Sequence, residues 1–193
     1  SFAGDDPTIA SIFAIFRGGT LTSFSFAAGG RTAGDLGAFE GMSIHAVLAD
    51  GSVRIASVGL DLEEAQGDVA VERAVLSAEH AAARIGKSRA SNGSVRIGLA
   101  ANDDTLRVEA TVRSDLAELP GILSRAVRGG SFHEELSLVE DLAGSATARL
   151  TLENRAGALE TKVSVSEMEL SARYRRLPWP IRIRSGSFFY DGN

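Results

Sequence analysis

The sequence predicts a mainly β domain, an antiparallel sheet of repetitive strands with about three short helices. Three observations support this: stretches in which apolar and polar residues alternate, polar turns that separate those stretches in pairs, and a pentapeptide that recurs along the chain. Alternation with period 2 is typical of strands with one buried face. The 193 residues, 44% of them hydrophobic, suffice for a single domain over residues 1–193 without support from a metal or disulfide.

The first element is predicted to be a short helix. Asp6 is a suitable N-cap, Pro7 a suitable first helical residue, and the apolar run reaches Phe16 before two glycines end it. The segment Thr20–Phe26 then alternates like a strand. Its phase slips near Thr22, which indicates a β-bulge.

Two further segments are less regular. The glycine-rich stretch Gly29–Gly41 predicts a loop with one helical turn around Leu36. The stretch Val71–Ile85 is rich in alanine and predicts a helix on propensity alone. Read with period 2, its apolar and polar residues separate poorly, so the alternation does not favour a strand.

Three pairs of strands are predicted to form hairpins around polar turns. The pairs are Ile44–Leu48 with Val53–Ile55, Gly93–Leu99 with Leu106–Val112, and Ala146–Leu152 with Leu159–Val165. The first pair flanks Asp50-Gly51, and Asp-Gly is a favoured hairpin turn. The third pair alternates most regularly, which predicts one buried face.

Two helices are predicted between the second and third hairpins. Asp115 and Glu118 begin the first, which ends at Gly129-Gly130. Ser131 and Glu134 form an S-x-x-E capping box for the second, which is predicted to run to about Leu142. The chain closes with a proline-containing corner and two short strand-like segments, Ile181–Arg184 and Gly186–Tyr190.

A pentapeptide, Gly-Ser-Val-Arg-Ile, occurs at Gly51–Ile55 and again at Gly93–Ile97. Looser versions begin at Gly144 and Gly186, so the glycines stand 42, 51 and 42 residues apart. Each glycine is predicted to follow a turn and open a strand. Two interpretations remain open: a chance recurrence of Gly-Ser at turns, or a quasi-repeating sheet that grows by adding similar strands.

Composition and motifs predict a protein without enzymatic chemistry. A net charge of −5 argues against nucleic-acid binding, and the absence of cysteine excludes disulfides and thiolate chemistry. His45, His80 and His133 lie far apart without metal-ligand spacing, and no nucleophile elbow or phosphate-binding loop is present. The sequence therefore predicts no metal, no cofactor and no catalytic residue. The longest apolar run, Thr8–Phe16, is too short to span a bilayer.

One cluster of like charges stands out in this acidic chain. Its members are Arg173, Arg175, Arg176, Arg182 and Arg184. They either form a solvated strand face that balances nearby acids, or bind anionic headgroups or an acidic partner, since arginine recognises phosphate bidentately.

The last fifty residues carry a resemblance to a known family. Gly144–Leu150, the alternating strand that continues to Val165, and the segment Leu177–Asp191 (LPWPIRIRSGSFFYD) resemble the AsmA-like family of bacterial envelope proteins. The stretch Gly51–Gly86 is similar to the preceding part of that pattern. Together these segments cover most of the chain.

The resemblance implies a long curved sheet, shaped like a taco, with an apolar inner groove. It also implies strands rather than a helix at Val71–Ile85. Family members are anchored in the inner membrane, extend through the periplasm and are linked to phospholipid transport. The chain would then be an excised periplasmic segment of a longer membrane-anchored protein from the envelope of a Gram-negative bacterium.

The predicted function is to hold or conduct phospholipid, or another acyl-chain ligand, between the inner and outer membranes through an apolar β-groove. The alternative is a structural or adhesive β-repeat module that contacts other envelope proteins. Candidate groove residues come from the aliphatic faces of the hairpins: Val53, Ile55, Val95, Ile97, Val108, Leu150, Leu152, Val163 and Val165.

Overall fold

The structure is a computed structural model that describes residues 16–29, 42–55, 59–100, 103–126, 131–155 and 157–192. The predicted N-terminal helix lies outside these ranges except for its last residue, Phe16, which begins the first strand. The predicted loop Gly29–Gly41 lies outside them too, apart from Gly29.

Ten strands and two short helices make up the described part of the chain. The strands are β1 (Phe16–Ala28), β2 (Met42–Ile55), β3 (Leu60–Glu72), β4 (Val75–Ile85), β5 (Ser88–Gly98), β6 (Leu106–Asp115), β7 (Val139–Arg155), β8 (Ala158–Tyr174), β9 (Ile181–Ile183) and β10 (Phe188–Gly192). The helices α1 (Leu119–Ala126) and α2 (Ser131–Leu136) connect β6 to β7.

All ten strands belong to one antiparallel sheet, so the predicted mainly β fold is confirmed. Strands β1 to β8 each pair with the next strand along the chain. The free side of β8 is shared by β10, which pairs with its first half, and β9, which pairs with its second half. The sheet is therefore open, with β1 at one edge and β9 and β10 at the other.

The second and third predicted hairpins are confirmed, and the first is wrong. Val95 pairs with Val108 across β5 and β6, and Leu150 pairs with Val163 across β7 and β8. The first predicted pair instead lies within the single strand β2. Asp50 has a φ of 55° there, and the chain makes a bulge at Asp50-Gly51 and continues. Both halves of β2 find partners on β1 and β3, which favours the bulge over a turn.

The stretch Val71–Ile85 is extended, so the helix predicted from alanine content is wrong and the strands implied by the resemblance are confirmed. Strands β3 and β4 meet at Arg73-Ala74, whose φ angles of 48° and 57° are those of a type I′ turn. Val71 pairs with Leu76 next to this turn, and both side chains are buried. Pairing on both sides overrides the intrinsic helix propensity of alanine.

The two predicted helices exist but have different limits. Helix α1 begins at Leu119 because β6 continues to Asp115, whose carboxylate accepts a hydrogen bond from the Ala117 N–H at 2.9 Å. Helix α2 ends at Leu136 rather than near Leu142, since β7 already pairs with the end of β8 at Val139.

Bulges in four neighbouring strands lie side by side across the sheet. Each contains one residue with a left-handed backbone: Asp50 on β2 (φ 55°), Glu64 on β3 (φ 51°), His80 on β4 (φ 52°) and Asn92 on β5 (φ 49°). We call these four residues the bulge row. Bulges bend their strands and increase the twist, so a row of them curves the sheet along one line. A further bulge in β1, between Leu21 and Ser23, confirms the phase slip predicted near Thr22.

Small residues follow every member of the bulge row, namely Gly51, Ala65, Ala81 and Gly93. Gly51 pairs with Ala65, and Ala81 pairs with Gly93. A Cβ added at Gly93 would lie 2.8 Å from the Ala81 carbonyl oxygen, so the strands approach too closely there for a larger residue. The exact repeats of the pentapeptide therefore mark bulges inside strands rather than strand starts.

Candidate apolar binding face

The strand register places apolar side chains on one face of the sheet. Residues that pair directly point to the same side, and every second residue along a strand shares that side. Val95 pairs with Val108, which pairs with Leu152, and Ile97 pairs with Leu106. Beyond the bulge row, Val53 pairs with Leu62 on the same side.

We call this side of the sheet the apolar face. It extends from β1 to β10 through Phe24, Phe26, Ile44, Leu48, Val53, Ile55, Leu62, Val69, Val71, Leu76, Val95, Ile97, Leu106, Val108, Val112, Leu150, Leu152, Val163, Val165, Phe188 and Tyr190. All nine predicted groove residues lie on it. The sequence predicted these residues separately for each hairpin, and the strand register places them on one common face.

Little of the apolar face is covered by other parts of the described chain. The buried apolar residues are Leu48, Ala65, Val71, Ala74, Leu76, Leu116, Ala146 and Ala172, several of them alanines. In the described part of the chain no large side chain is completely buried. Eight of the nine predicted groove residues are half-buried, and Ile55 is 38% exposed.

Aromatic side chains border the apolar face at both edges of the sheet. On β1, Phe24 is 60% exposed and pairs with Ala46, and Phe26 is 54% exposed and pairs with Ile44. On β10, Phe188 and Tyr190 are 55% and 49% exposed. Sequence reasoning missed these aromatic residues, although their alternation with serine in β1 was visible.

The opposite face of the sheet is polar and carries ion pairs. Arg107 bonds to Glu109 at 2.7 Å on β6, and Arg84 on β4 bonds to Glu63 and Glu64 on β3 at 2.8 and 2.9 Å. The hydrogen bond from Arg107 holds the pKa of the Glu109 carboxyl below its ordinary value. One face thus favours water, while the other offers water mainly aliphatic surface.

The two helices lie at the end of the sheet where β6 joins β7. The Glu118 carboxylate, just before α1, accepts a hydrogen bond from the Lys87 N–H at 2.7 Å, and α1 contacts β3. Leu136 of α2 lines an apolar depression of about 310 Å³ with Val139, Leu142, Leu170, Ala172, Tyr174, Ile181 and Ile183. The helices therefore cover part of the sheet at this end only.

A polar cluster attaches α2 to the end of β8. The Tyr174 hydroxyl donates a short hydrogen bond to the Glu135 carboxylate, which also pairs with Arg176 at 2.7 Å. The hydrogen bond to Glu135, followed by burial, raises the pKa of the Tyr174 hydroxyl. The cluster holds Leu136 beside the apolar depression.

The five predicted arginines do not act as one group. Arg173 lies 3.7 Å from Asp141, Arg175 lies 3.7 Å from Glu140, and Arg176 pairs with Glu135. These three fit the interpretation of a strand face balanced by acids. Arg182 and Arg184 are exposed, and neither forms an ion pair with an acid of the described residues.

His45 and His80 lie on different strands, β2 and β4. His45 is 3.1 Å from Glu72, and His80 is 2.9 Å from Asp68, both on the polar face. The side chain of His133 lies outside the described residues. Within the described ranges no group of three or more potential ligands could hold a metal ion.

Fold and face together define a class: an open, single-layer antiparallel sheet with one aliphatic and one charged side. Comparison of the chain with protein-family models, with curated proteins and with solved structures found no match. The AsmA-like assignment therefore stays a prediction that rests on the sequence motifs. The helices among the described residues have eight and six residues, and neither could span a bilayer.

Proposed function

We propose that the chain holds or conducts phospholipid, or another acyl-chain ligand, along its apolar face, as a periplasmic segment of an AsmA-like envelope protein. One observation carries the proposal: the register makes the apolar face continuous over all the strands from β1 to β8, and the described chain places no second layer over most of it.

An acyl chain suits such a surface because it needs no directional contacts. Removing apolar groups from water contributes about 0.8 kcal/mol per CH₂, wherever along the face the chain lies. Branched aliphatic side chains in register offer the same environment at each strand, so a ligand can slide from one strand to the next. This is a binding and transfer function without covalent chemistry, and we propose no catalytic residue.

A structural or adhesive module is the second candidate, and the open sheet edges favour it. The outer side of β1 pairs with no described strand, and an unpaired edge is a template for pairing with another chain. Under this alternative the apolar face is covered by a partner protein, and the edges determine which partner binds.

Paired substitutions on β8 test the lipid proposal. Val163 lies on the apolar face between Leu150 and Tyr190, whereas the adjacent Ser164 is exposed on the polar face between Arg149 and Phe189. Val163→Asp and Ser164→Asp add the same charge one residue apart. Native mass spectrometry of each purified variant, followed by organic extraction, measures the bound lipid.

We expect phospholipid bound to the unmodified protein and to Ser164→Asp, and its loss from Val163→Asp with the sheet still folded by circular dichroism. Equal lipid content in both variants would contradict binding on the apolar face. A lipid-free protein that also excludes added fluorescent phospholipid would favour the adhesive module instead.

A further inference from the structure

An exposed apolar tip connects β8 to β9. Its residues run from Leu177 to Pro180, and every one of them is exposed, with Trp179 at 64% and Leu177 at 40%. The tip begins at a turn in which the Leu177 N–H bonds to the Tyr174 carbonyl oxygen at 2.8 Å. Pro178 and Pro180 stiffen it and donate no N–H groups. Water therefore contacts an indole and an isobutyl side chain held out from the sheet.

Positive charge without a balancing acid lies directly beside this tip. The segment from Leu170 to Tyr190 contains five arginines and no aspartate or glutamate. Acids of α2 and β7 pair with the three arginines before the tip. The two after it, Arg182 and Arg184, form no ion pair with the acids of the described ranges, although the whole protein has a net charge of −5.

Strand β9 separates this charge from the apolar face. Ile181 and Ile183 line the apolar depression beside α2, and Ile183 pairs with Leu170. Arg182 lies between them in sequence and so points to the other side of the sheet. The cations and the tip are thus exposed together, outside the depression.

We propose that the tip and its two arginines dock the chain on the surface of an anionic phospholipid bilayer. Tryptophan prefers the membrane–water interface, where its ring is apolar and its N–H meets polar headgroups. Guanidinium groups bind phosphate oxygens bidentately. An acidic protein partner would satisfy the arginines alone, whereas a bilayer surface accommodates both the cations and the exposed indole.

This docking role is independent of the apolar face, because none of the tip residues lies on it. The lipid-extraction experiment measures acyl-chain binding, and the vesicle experiment described next measures docking. Either role can therefore fail without the other. Docking would place the helix-bearing end of the sheet at the membrane.

Tryptophan fluorescence reports on the tip alone, because Trp179 is the only tryptophan in the chain. We expect its fluorescence emission to shift to the blue with vesicles of equal parts phosphatidylcholine and phosphatidylglycerol, and not with phosphatidylcholine alone. High salt should reverse the shift, since exposed charges are screened. Brominated acyl chains in the same vesicles should quench the emission.

The double variant Arg182→Gln/Arg184→Gln should bind these anionic vesicles about 25-fold more weakly, at about fivefold per arginine. Arg96→Gln/Arg113→Gln is the matched control, because both arginines are exposed on the polar face of β5 and β6. It removes the same charge away from the tip and should change binding little.

Three results would overturn the proposal. The first is a Trp179 emission that does not shift with any vesicle. The second is an equal loss of binding in the two double variants, which would indicate attraction by overall charge. The third is displacement of the protein from the vesicles by polyglutamate with the same blue shift, which would indicate a site for acidic protein segments.

Discussion

Single residues decide how closely the strands approach at the bulge row. Gly51 and Gly93 occupy positions where a side chain would meet the backbone or side chain of a neighbour. Leu48, with 7% of its surface exposed, fills the space beside Gly51 and Gly19. This part of the sheet is therefore packed tightly by small residues, while most of the apolar face is lined by larger ones.

Replacing Gly93 by alanine should destabilise the protein by roughly 1–3 kcal/mol, because the new Cβ would lie 2.8 Å from a backbone oxygen. Gly18 is a matched control on β1, since nothing lies within 4 Å of a Cβ added there. Gly18→Ala should leave stability unchanged or raise it by a few tenths of a kcal/mol. Urea denaturation measures both, and a Gly93→Ala midpoint as high as that of Gly18→Ala would contradict the close approach.

At the scale of elements, the left-handed backbone conformation produces two different local structures, a bulge within a strand or a turn between strands. A single left-handed residue with partners on both sides makes a bulge, as at Asp50, Glu64, His80 and Asn92. Two consecutive left-handed residues make a type I′ turn, as at Arg73-Ala74. Neither arginine nor alanine favours that conformation, so the β3–β4 turn stores strain that surrounding pairs such as Val71 with Leu76 offset.

Substituting glycine for Ala74 should therefore stabilise the protein by up to about 1 kcal/mol. Glycine adopts a φ of 57° without the steric cost of about 1–2 kcal/mol, and this gain exceeds the roughly 0.8 kcal/mol lost with the buried methyl group. The same substitution at Ala70, within β3, should destabilise it by about 0.5–1 kcal/mol because glycine loses more backbone entropy in a strand. Thermal unfolding compares the two. If both substitutions stabilise the protein, or both destabilise it, backbone strain at the turn does not determine the effect of the substitution at Ala74.

At the scale of the whole molecule, stability comes from the strand ladder and from few buried side chains. Apart from Ala146, which lies inside β7, the buried apolar residues lie near the bulge row or the ends of strands, and no second sheet lies over them within the described residues. An open apolar surface that extends from β1 to β8 is uncommon unless a ligand or partner covers it. Covering it should stabilise the folded state by mass action.

A soluble short-chain phosphatidylcholine at about 100 times its dissociation constant should add about 2.7 kcal/mol to the free energy of unfolding. For a chain of this length the melting temperature then rises by roughly 5–11 °C. Val163→Asp should abolish the rise and Ser164→Asp should keep it. A melting temperature that does not respond to any phospholipid would contradict the proposed ligand.

Much of the fold could be predicted because local pattern and tertiary structure agree in the later hairpins. The alternation from Ala146 to Leu152 and from Leu159 to Val165 was sufficient to place β7 beside β8. The prediction failed where local preference and pairing conflict. Asp50-Gly51 is a good hairpin turn that became a bulge, and the alanines of Val71–Ile85 favour a helix that strand pairing does not allow.

The apolar face, too, could be predicted from the sequence only in part. Each of the nine aliphatic residues could be selected from its own strand, yet their union depends on register, and register depends on bulges that shift the phase of a strand by one residue. The aromatic residues at the edges, and the separation of Arg182 and Arg184 from the three paired arginines, likewise follow from which strands are neighbours.

The sequence by itself determined that this chain is a mainly β protein whose strands each have an apolar and a polar side, because alternation with period 2 is written into the order of residues. Only the tertiary structure decided that these sides join into one open face across β1 to β8 and β10, and that the bulge row crosses four of these strands. The physical reason is that alternation acts within a strand, whereas register, bulges and edges depend on hydrogen bonds between residues far apart in the chain.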